Sequence, residues 1–219
     1  MGEYKVAIVI PAFNEENTIV EVVQSVKQYG DVIVVNDASI DSTEERAKNV
    51  GAIVFNHNEN KGYDQSLNRG FFEAEKRNYD AVITFDADGQ HSAAMLNEYI
   101  ENLKQGVNLV LGVRPKTARV AEWIFMLYTQ MKFNWKDPLC GMKGYSMELY
   151  RKQGYFDSYC SIGTELAYFG LLHNYSYVQL PITIENRLDV SRFDSVMQSN
   201  WRIIKSLFNM VLRKHDYPN

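Results

Sequence analysis

The sequence predicts an α/β fold, a mostly parallel central sheet flanked by helices. Two patterns carry that prediction. Short runs of strand formers alternate with segments of helical periodicity across residues 1–114, joined by short connections. The runs are also continuously apolar, as strands covered on both faces are. A third pattern locates function: three of the runs end in polar residues, and open parallel sheets bind ligands beyond the carboxyl ends of their strands.

The elements follow in order. VAIVI at 6–10 reads as a buried strand. In the next segment Ile19, Val22, Val23 and Val26 recur at helical spacing, and Gly30 is a natural stop. DVIVVND is the second strand, and SIDSTEERAKNVG a helix capped by Asp41 or Ser42 and ended by Gly51. AIVFNH, GYDQSLNRGFFEAEKRN and DAVITFDAD read as strand, helix and strand; SAAMLNEYIENLKQG and VNLVLGVR add a helix and a fifth strand. After Arg114 the character changes. ARVAEWIFMLYTQMKF reads as an amphipathic helix, DPLCGMKGYSMELYRKQGYF as turn-rich, CSIGTELAYFGLLHN as a helix, YSYVQLPITIEN as a strand and SVMQSNWRIIKSLFNMVLRKH as a last helix. The expectation is one domain over 1–219: a ligand-binding half at 1–114, a second half at 115–192 continuous with the same sheet, and a C-terminal amphipathic helix at 193–219.

Composition narrows the function. The chain has 219 residues, 46% of them hydrophobic, enough for one sizeable core. A net charge of -4 gives no reason to expect nucleic acid as a partner. Two cysteines, Cys140 and Cys160, make neither a disulfide framework nor a zinc site. The N-terminal apolar run is too short for a signal peptide and ends at Pro11. No run is long enough to cross a bilayer. The expectation is a cytoplasmic protein, with contact at the inner face of the membrane left open. From Trp201 to His215 there are basic residues and no acidic one, beside an apolar stripe. Such a helix either lies on an anionic membrane surface or packs on its own domain. Oligomeric state is left open, a homo-oligomer included.

The most informative stretch is AVITFDADGQHS at 81–92. Side chains alternate along a strand, so Asp86 and Asp88 point the same way. Two neighbouring carboxylates resist joint ionisation unless a cation neutralises them. Hard oxygen ligands select Mg²⁺ or Mn²⁺, and Gln90 offers a further carbonyl oxygen that Gly89 lets the chain bring round. Because such an ion keeps few protein ligands, it commonly holds phosphates as well.

With VIPAFNEENTI, IVVNDASIDST, NKGYDQSLNRGF and ITFDADGQH in this order and spacing, the chain resembles family 2 glycosyltransferases of the GT-A fold. Within that family it resembles the dolichyl- or polyprenyl-phosphate mannose synthase-like subgroup. DPLCGMKGYSMELY is similar to the subgroup's Asp-x-x-Ser-Gly-Phe-Arg segment, and LPITIENRLDVSRF to its Val-Pro…Arg-x-x-Gly-x-Ser segment. The resemblance implies a GDP- or UDP-linked sugar donor. Pro11, Phe13 and Glu15 would line the nucleoside, and Asp37 would bond the base. Asp86 would sit at the ribose or metal, Asp88 and Gln90 on the metal, and Arg114 would reach phosphate. The metal would bridge the diphosphate and neutralise the leaving group.

Acceptor chemistry divides the alternatives. A sugar hydroxyl needs a general base as it attacks, whereas a phosphate monoester, with a second pKa near about 6, is already dianionic at neutral pH. A polyprenyl phosphate would need cations, and the resemblance puts Lys143, Arg187 and Arg192 there. For a glycan hydroxyl in polysaccharide assembly, Glu165 is the first candidate base and Asp137 the second. The chain departs from the subgroup in three places. Cys140-Gly141-Met142-Lys143 replaces Ser-Gly-Phe-Arg, Asp189-Val190-Ser191 replaces Gly-x-Ser, and Asn36-Asp37-Ala38-Ser39 replaces Asp-Asp-Gly-Ser. A sugar nucleotidyltransferase is disfavoured, because PAFNEEN is acidic where that class carries a Gly-rich basic loop. A binding subunit without catalysis is disfavoured by the intact Asp86, Asp88 and Gln90.

Overall fold

A computed structural model describes residues 3–115, 119–184 and 196–212, with the side chains of 196–198 left aside. The continuous apolar runs become strands β1 (Val6–Ala12), β2 (Asp31–Asn36), β3 (Ile53–Asn56), β4 (Ala81–Thr84) and β5 (Leu109–Val113). Two later strands, β6 (Lys143–Ser146) and β7 (Tyr177–Pro181), complete one sheet in the order β3-β2-β1-β4-β6-β5-β7. β1 pairs parallel with β2 and β4, β2 with β3, and β5 with β7. β6 runs antiparallel to both β4 and β5 and sits between them.

That strand corrects the turn-rich expectation for the segment following residue 136. Residues 143–153 fold as β6 and then α6 (Met147–Gln153). Ser146 caps the helix by accepting a hydrogen bond from the Leu149 N–H at 3.3 Å, and Gly154 closes it at φ 86°.

The remaining helices are α1 (Ile19–Val26), α2 (Thr43–Asn49), α3 (Tyr63–Lys76), α4 (Leu96–Lys104), α5 (Val120–Phe133), α7 (Glu165–Leu172) and α8 (Val196–Leu212). α1 buries Ile19, Val22, Val23 and Val26, the positions its periodicity selects. α3 approaches β1 so closely that a Cβ on Gly70 would come within 3.2 Å of Val9 Cγ2. Alternate residues of the strands feed two core clusters. One holds Val9, Phe71, Phe125, Tyr145 and Phe169, the other Ile8, Ile10, Val23, Ile83 and Tyr99. α8 packs against α5 and sends Ile203 and Met210 into the first cluster. No helix among the described residues is long and apolar enough to cross a membrane.

Candidate active site

The polar ends of β1, β2 and β4 meet in a cleft of about 530 Å³. Pro11, Phe13, Glu15, Asp37, Asp86, Asp88, Gln90 and Arg114 all line it, so this set of sequence candidates is brought together. The opposite wall comes from Leu139, Gly141, Ile162 and Ile184, with Ser199, Arg202 and Ile203 contributed by α8.

Local hydrogen bonds explain how the β1 and β2 ends are held. The Asn14 N–H donates to Ser39 Oγ at 2.9 Å, Glu15 N–H to Thr43 Oγ1 at 2.7 Å, and Ile40 N–H to Asn14 Oδ1 at 2.9 Å. The two loops are therefore one unit. Ala38 takes φ 60° within it, a conformation that costs a residue with a Cβ about 1 kcal/mol and that accounts for glycine being commoner at this place in the family. Asp37 is buried. Its Oδ1 accepts from His57 Nδ1 and the Lys61 N–H, both at 2.8 Å, and its Oδ2 accepts from the Gly62 N–H at 2.7 Å. A carboxylate has about four acceptor positions. Asp37 therefore anchors the Asn60-Lys61-Gly62 loop, with three of these positions used.

Asp86, just beyond β4, is held from two sides. Tyr63 OH donates to its Oδ1 at 3.3 Å, and His91 Nε2 lies 3.0 Å from its Oδ2. Burial alone would raise the Asp86 pKa, but the His91 hydrogen bond and charge, helped by Lys143, hold it below the usual carboxylate range. Burial would likewise lower His91, yet its bond to Asp86 raises it. The other His91 nitrogen, Nδ1, is buried with no protein partner. Asp88 Oδ1 accepts the Gln90 N–H at 3.1 Å, which closes the turn after the strand. The carboxylates of Asp86 and Asp88 and the amide of Gln90 are hard oxygen donors facing one cleft, a set that fits Mg²⁺ or Mn²⁺. Gly141 leaves the room that Asp86 occupies, since a Cβ there would sit 2.7 Å from both Cγ and Oδ1 of the aspartate.

The structure moves other candidates out of their expected roles. Lys143 is buried in β6 and does not line the cleft; its Nζ donates to Cys140 O at 2.6 Å and Gly163 O at 3.1 Å. Burial pulls its pKa down. It ties two loops together instead of meeting an acceptor phosphate. Glu165 is buried as well, accepting from the Ser158 N–H at 2.6 Å and Ser158 Oγ at 2.9 Å, and it does not line the cleft either. Asp137 is held by Arg114, whose Nε and Nη2 form a two-point bridge at 2.8 and 2.9 Å; Nη2 also reaches Glu122 at 3.1 Å. Arg114 thus faces the cleft with three of its five N–H donors engaged by these carboxylates. Arg187 and Arg192 lie outside the described residues. Cys140 is fully buried and its thiol is pushed up to about 12 by burial, so it is inert.

Two residues of α3 act as loop anchors: Asp64, a weak site candidate from the sequence beside Asn60 and Lys61, and Asn68, which the sequence analysis missed. Asp64 accepts from the Gly163 N–H at 2.6 Å and the Ile162 N–H at 3.3 Å. Asn68 Oδ1 accepts from Phe156 N–H and Asp157 N–H at 2.9 and 3.0 Å, while its Nδ2 donates to Asp157 O at 2.7 Å. Together they fix the 156–163 loop, whose Ile162 is part of the cleft wall. The available signal was their i,i+4 placement beside the buried Leu67 and Phe71, which puts two polar groups on the inward face. Asp64, Asp157 and Cys160 also cluster closely enough to hold an ion, but both carboxylates are committed to backbone N–H groups of the same loop.

The sequence model of glycosyl transferase family 2 matches residues 7–162. The chain belongs to this family. Its fold is the GT-A α/β architecture, and it is a glycosyltransferase that uses nucleotide sugars. An uncharacterized protein of Methanocaldococcus jannaschii is 29% identical over 96% of this chain and 92% of its own length. A dolichol-phosphate mannosyltransferase of Pyrococcus furiosus is 30% identical over 55% of this chain, and the match spans only 36% of that enzyme. Among solved structures, glucosyl-3-phosphoglycerate synthase of Mycobacterium tuberculosis, in complex with Mn²⁺, UDP and glucosyl-3-phosphoglycerate, superposes with a TM-score of 0.79 at 20% identity. That superposition covers 99% of this chain and 81% of the other.

Proposed function

We propose that this family 2 enzyme is an inverting, metal-dependent transferase that moves a sugar from a GDP- or UDP-linked donor to a phosphate acceptor, a polyprenyl phosphate first. The observation that carries the donor half is the convergence of Asp86, Asp88 and Gln90 in the cleft into which the β1 and β2 loops also point. In this reading 1–219 is one catalytic domain, with donor groups from 1–114 and the acceptor wall from 115–192 and α8.

Each residue then has a task. Phe13, half-exposed at the cleft, gives the base an apolar surface, and the remaining acceptor position on Asp37 takes a base N–H. Asp86, Asp88 and Gln90 would hold Mg²⁺ or Mn²⁺, which when bound neutralises charge on the leaving nucleoside diphosphate. An acceptor phosphate oxygen forms the new bond to the anomeric carbon as the sugar–diphosphate bond breaks on the opposite face, with inversion. No proton leaves a dianionic nucleophile. The acceptor half is supported by the cations at the cleft. Neither candidate base, Glu165 or Asp137, lines it, whereas Arg119 and Arg202 do. Arg187 and Arg192, outside the described residues, stay in the proposed acceptor set on the sequence resemblance. The Pyrococcus relative, a dolichol-phosphate mannosyltransferase, supports the same acceptor class. Such an acceptor would place the enzyme at the cytoplasmic face of a membrane.

The test is a panel of nucleotide sugars, with and without Mn²⁺ and with and without a short polyprenyl phosphate. Transfer is expected only when metal and acceptor are both present. Asp88→Ala is expected to lower turnover by at least about a hundredfold, the size of losing one charge-stabilising group. Full turnover in that variant, or in excess chelator, would remove the metal assignment.

A further inference from the structure

The α5–α8 pair carries an unusual surface. Among the described residues, twelve large hydrophobics are exposed, and nine of them lie on these two helices. On α5, Trp123, Leu127 and Met131 face solvent at 56, 46 and 81% exposure; on α8, Trp201, Phe208 and Leu212 do so at 68, 61 and 60%. The spacings i, i+4, i+8 and i, i+7, i+11 make one stripe on each helix. Phe125 of α5 and Ile203 and Met210 of α8 enter the same core cluster, and the helices pack on one another. Both stripes therefore point away from one shared core.

The charge around these stripes identifies the occupant. α8 contains no acidic residue and exposes Lys205 beside the stripe, and the sequence continues with Arg213 and Lys214. The acidic residue of α5, Glu122, is buried against Arg114. On a chain of net charge -4, this surface is apolar and, among the described residues of the two helices, carries basic groups without exposed acidic ones. We infer that the outer face of the α5–α8 pair docks on an anionic lipid surface, with tryptophan and phenylalanine at the headgroup level and the basic groups against lipid phosphates. α8 lends its other side, through Ser199, Arg202 and Ile203, to the cleft wall. Docking there sets the cleft beside the bilayer, where the lipid-linked acceptor of the proposed function resides; the inference rests on that function for its purpose.

The experiment is co-sedimentation of the full chain with vesicles of phosphatidylcholine and phosphatidylglycerol in equal parts, against phosphatidylcholine alone, with tryptophan emission read in parallel. Binding to the anionic vesicles with a blue-shifted emission is expected, weakened by salt. Lys205→Gln is expected to weaken it about fivefold. The double variant Trp201→Glu, Phe208→Glu is expected to weaken it by roughly tenfold or more, with circular dichroism and melting unchanged, because both side chains lie outside the core. Absence of binding, equal binding to both vesicle types, or a stable dimer that the double variant dissociates would each overturn the inference; the last would make the face a self-interface. Sugar transfer to a soluble phosphate acceptor without vesicle binding would sink the docking surface alone. Vesicle binding by an enzyme that glycosylates only sugar hydroxyls would sink the acceptor assignment alone.

Discussion

Gly141 and Asp86 are packed so closely that the glycine's missing side chain is the space the carboxylate fills. Thr84, two residues before the aspartate, fixes the pairing. Its hydroxyl donates to Gly141 O at 2.6 Å and accepts the Lys143 N–H at 3.1 Å, so the 141–143 segment cannot drift from the end of β4. Gly141→Ala is therefore expected to push the Asp86 carboxylate away from Tyr63 and His91 and to lower transfer by about a hundredfold, with the fold intact by circular dichroism. Gly51 is the control. It has φ 95° and open space around a built Cβ, so Gly51→Ala should cost about 1 kcal/mol of stability and leave turnover alone. Equal turnover in the two variants would show that the Gly141–Asp86 contact has no part in catalysis.

Lys143 and Glu165 are expected to act on stability and not on acceptor binding or proton transfer. Lys143→Met leaves two buried carbonyls without their donor, Cys140 O and Gly163 O. Each unmade buried bond costs about 1–3 kcal/mol. Urea denaturation should record that loss, while KM for a phosphate acceptor changes less than about threefold, well under what losing a charged contact entails. Glu165→Gln should likewise retain turnover. Arg202→Ala, by contrast, removes a cation that lines the cleft and should raise the acceptor KM roughly tenfold. A large KM effect in Lys143→Met with none in Arg202→Ala would restore the lysine to the acceptor site.

Asn68→Ala is a test of the 156–163 loop, which sends Ile162 into the cleft wall. Three hydrogen bonds to the backbone of Phe156 and Asp157 disappear with the amide, which at about 1 kcal/mol apiece predicts a loss near 3 kcal/mol. The expected signature is a lower urea midpoint with an unchanged m value. Asn68→Asp keeps the acceptor for the two N–H groups and should lose less.

Much of this architecture was legible because local chemistry and global fold agree. β1, β2 and β4 are apolar runs covered on both faces, and their polar ends mark the cleft before any coordinates are known. The 143–153 segment was not legible as strand and helix. Lys143-Gly144-Tyr145-Ser146 shows no two-residue alternation, and it becomes a strand only because β4 and β5 offer hydrogen bonds on both sides. The site divided in the same way. Residues at strand ends were found by position, while the fates of Lys143 and Glu165 depended on Cys140 O, Gly163 O and Ser158, distant or irregular partners that no periodicity announces. Asp64 and Asn68 lay between these cases, visible as polar residues on the apolar side of α3 but needing the 156–163 loop to explain them.

Asp64 also makes stability depend on pH. Burial, with Asp157 close by, raises its pKa from 3.8 to about 6 against the pull of two backbone N–H bonds. In the unfolded chain the group titrates near 3.8. Between these values the folded state binds more protons than the unfolded state, so stability falls as pH rises through the window. Two units correspond to roughly 3 kcal/mol at most. Asp64→Asn removes the titration and leaves one oxygen to accept from Ile162 and Gly163. Its stability should therefore be compared with that of the unaltered chain by urea denaturation at several pH values between the two pKa values. Contributions from groups not coupled to Asp64 cancel in the difference. The advantage of the unaltered chain over Asp64→Asn is expected to be largest at the acid end and to shrink steadily toward neutrality. A difference that stays flat, or grows with pH, would mean that Asp64 is ionised throughout and that its two backbone N–H bonds outweigh its burial.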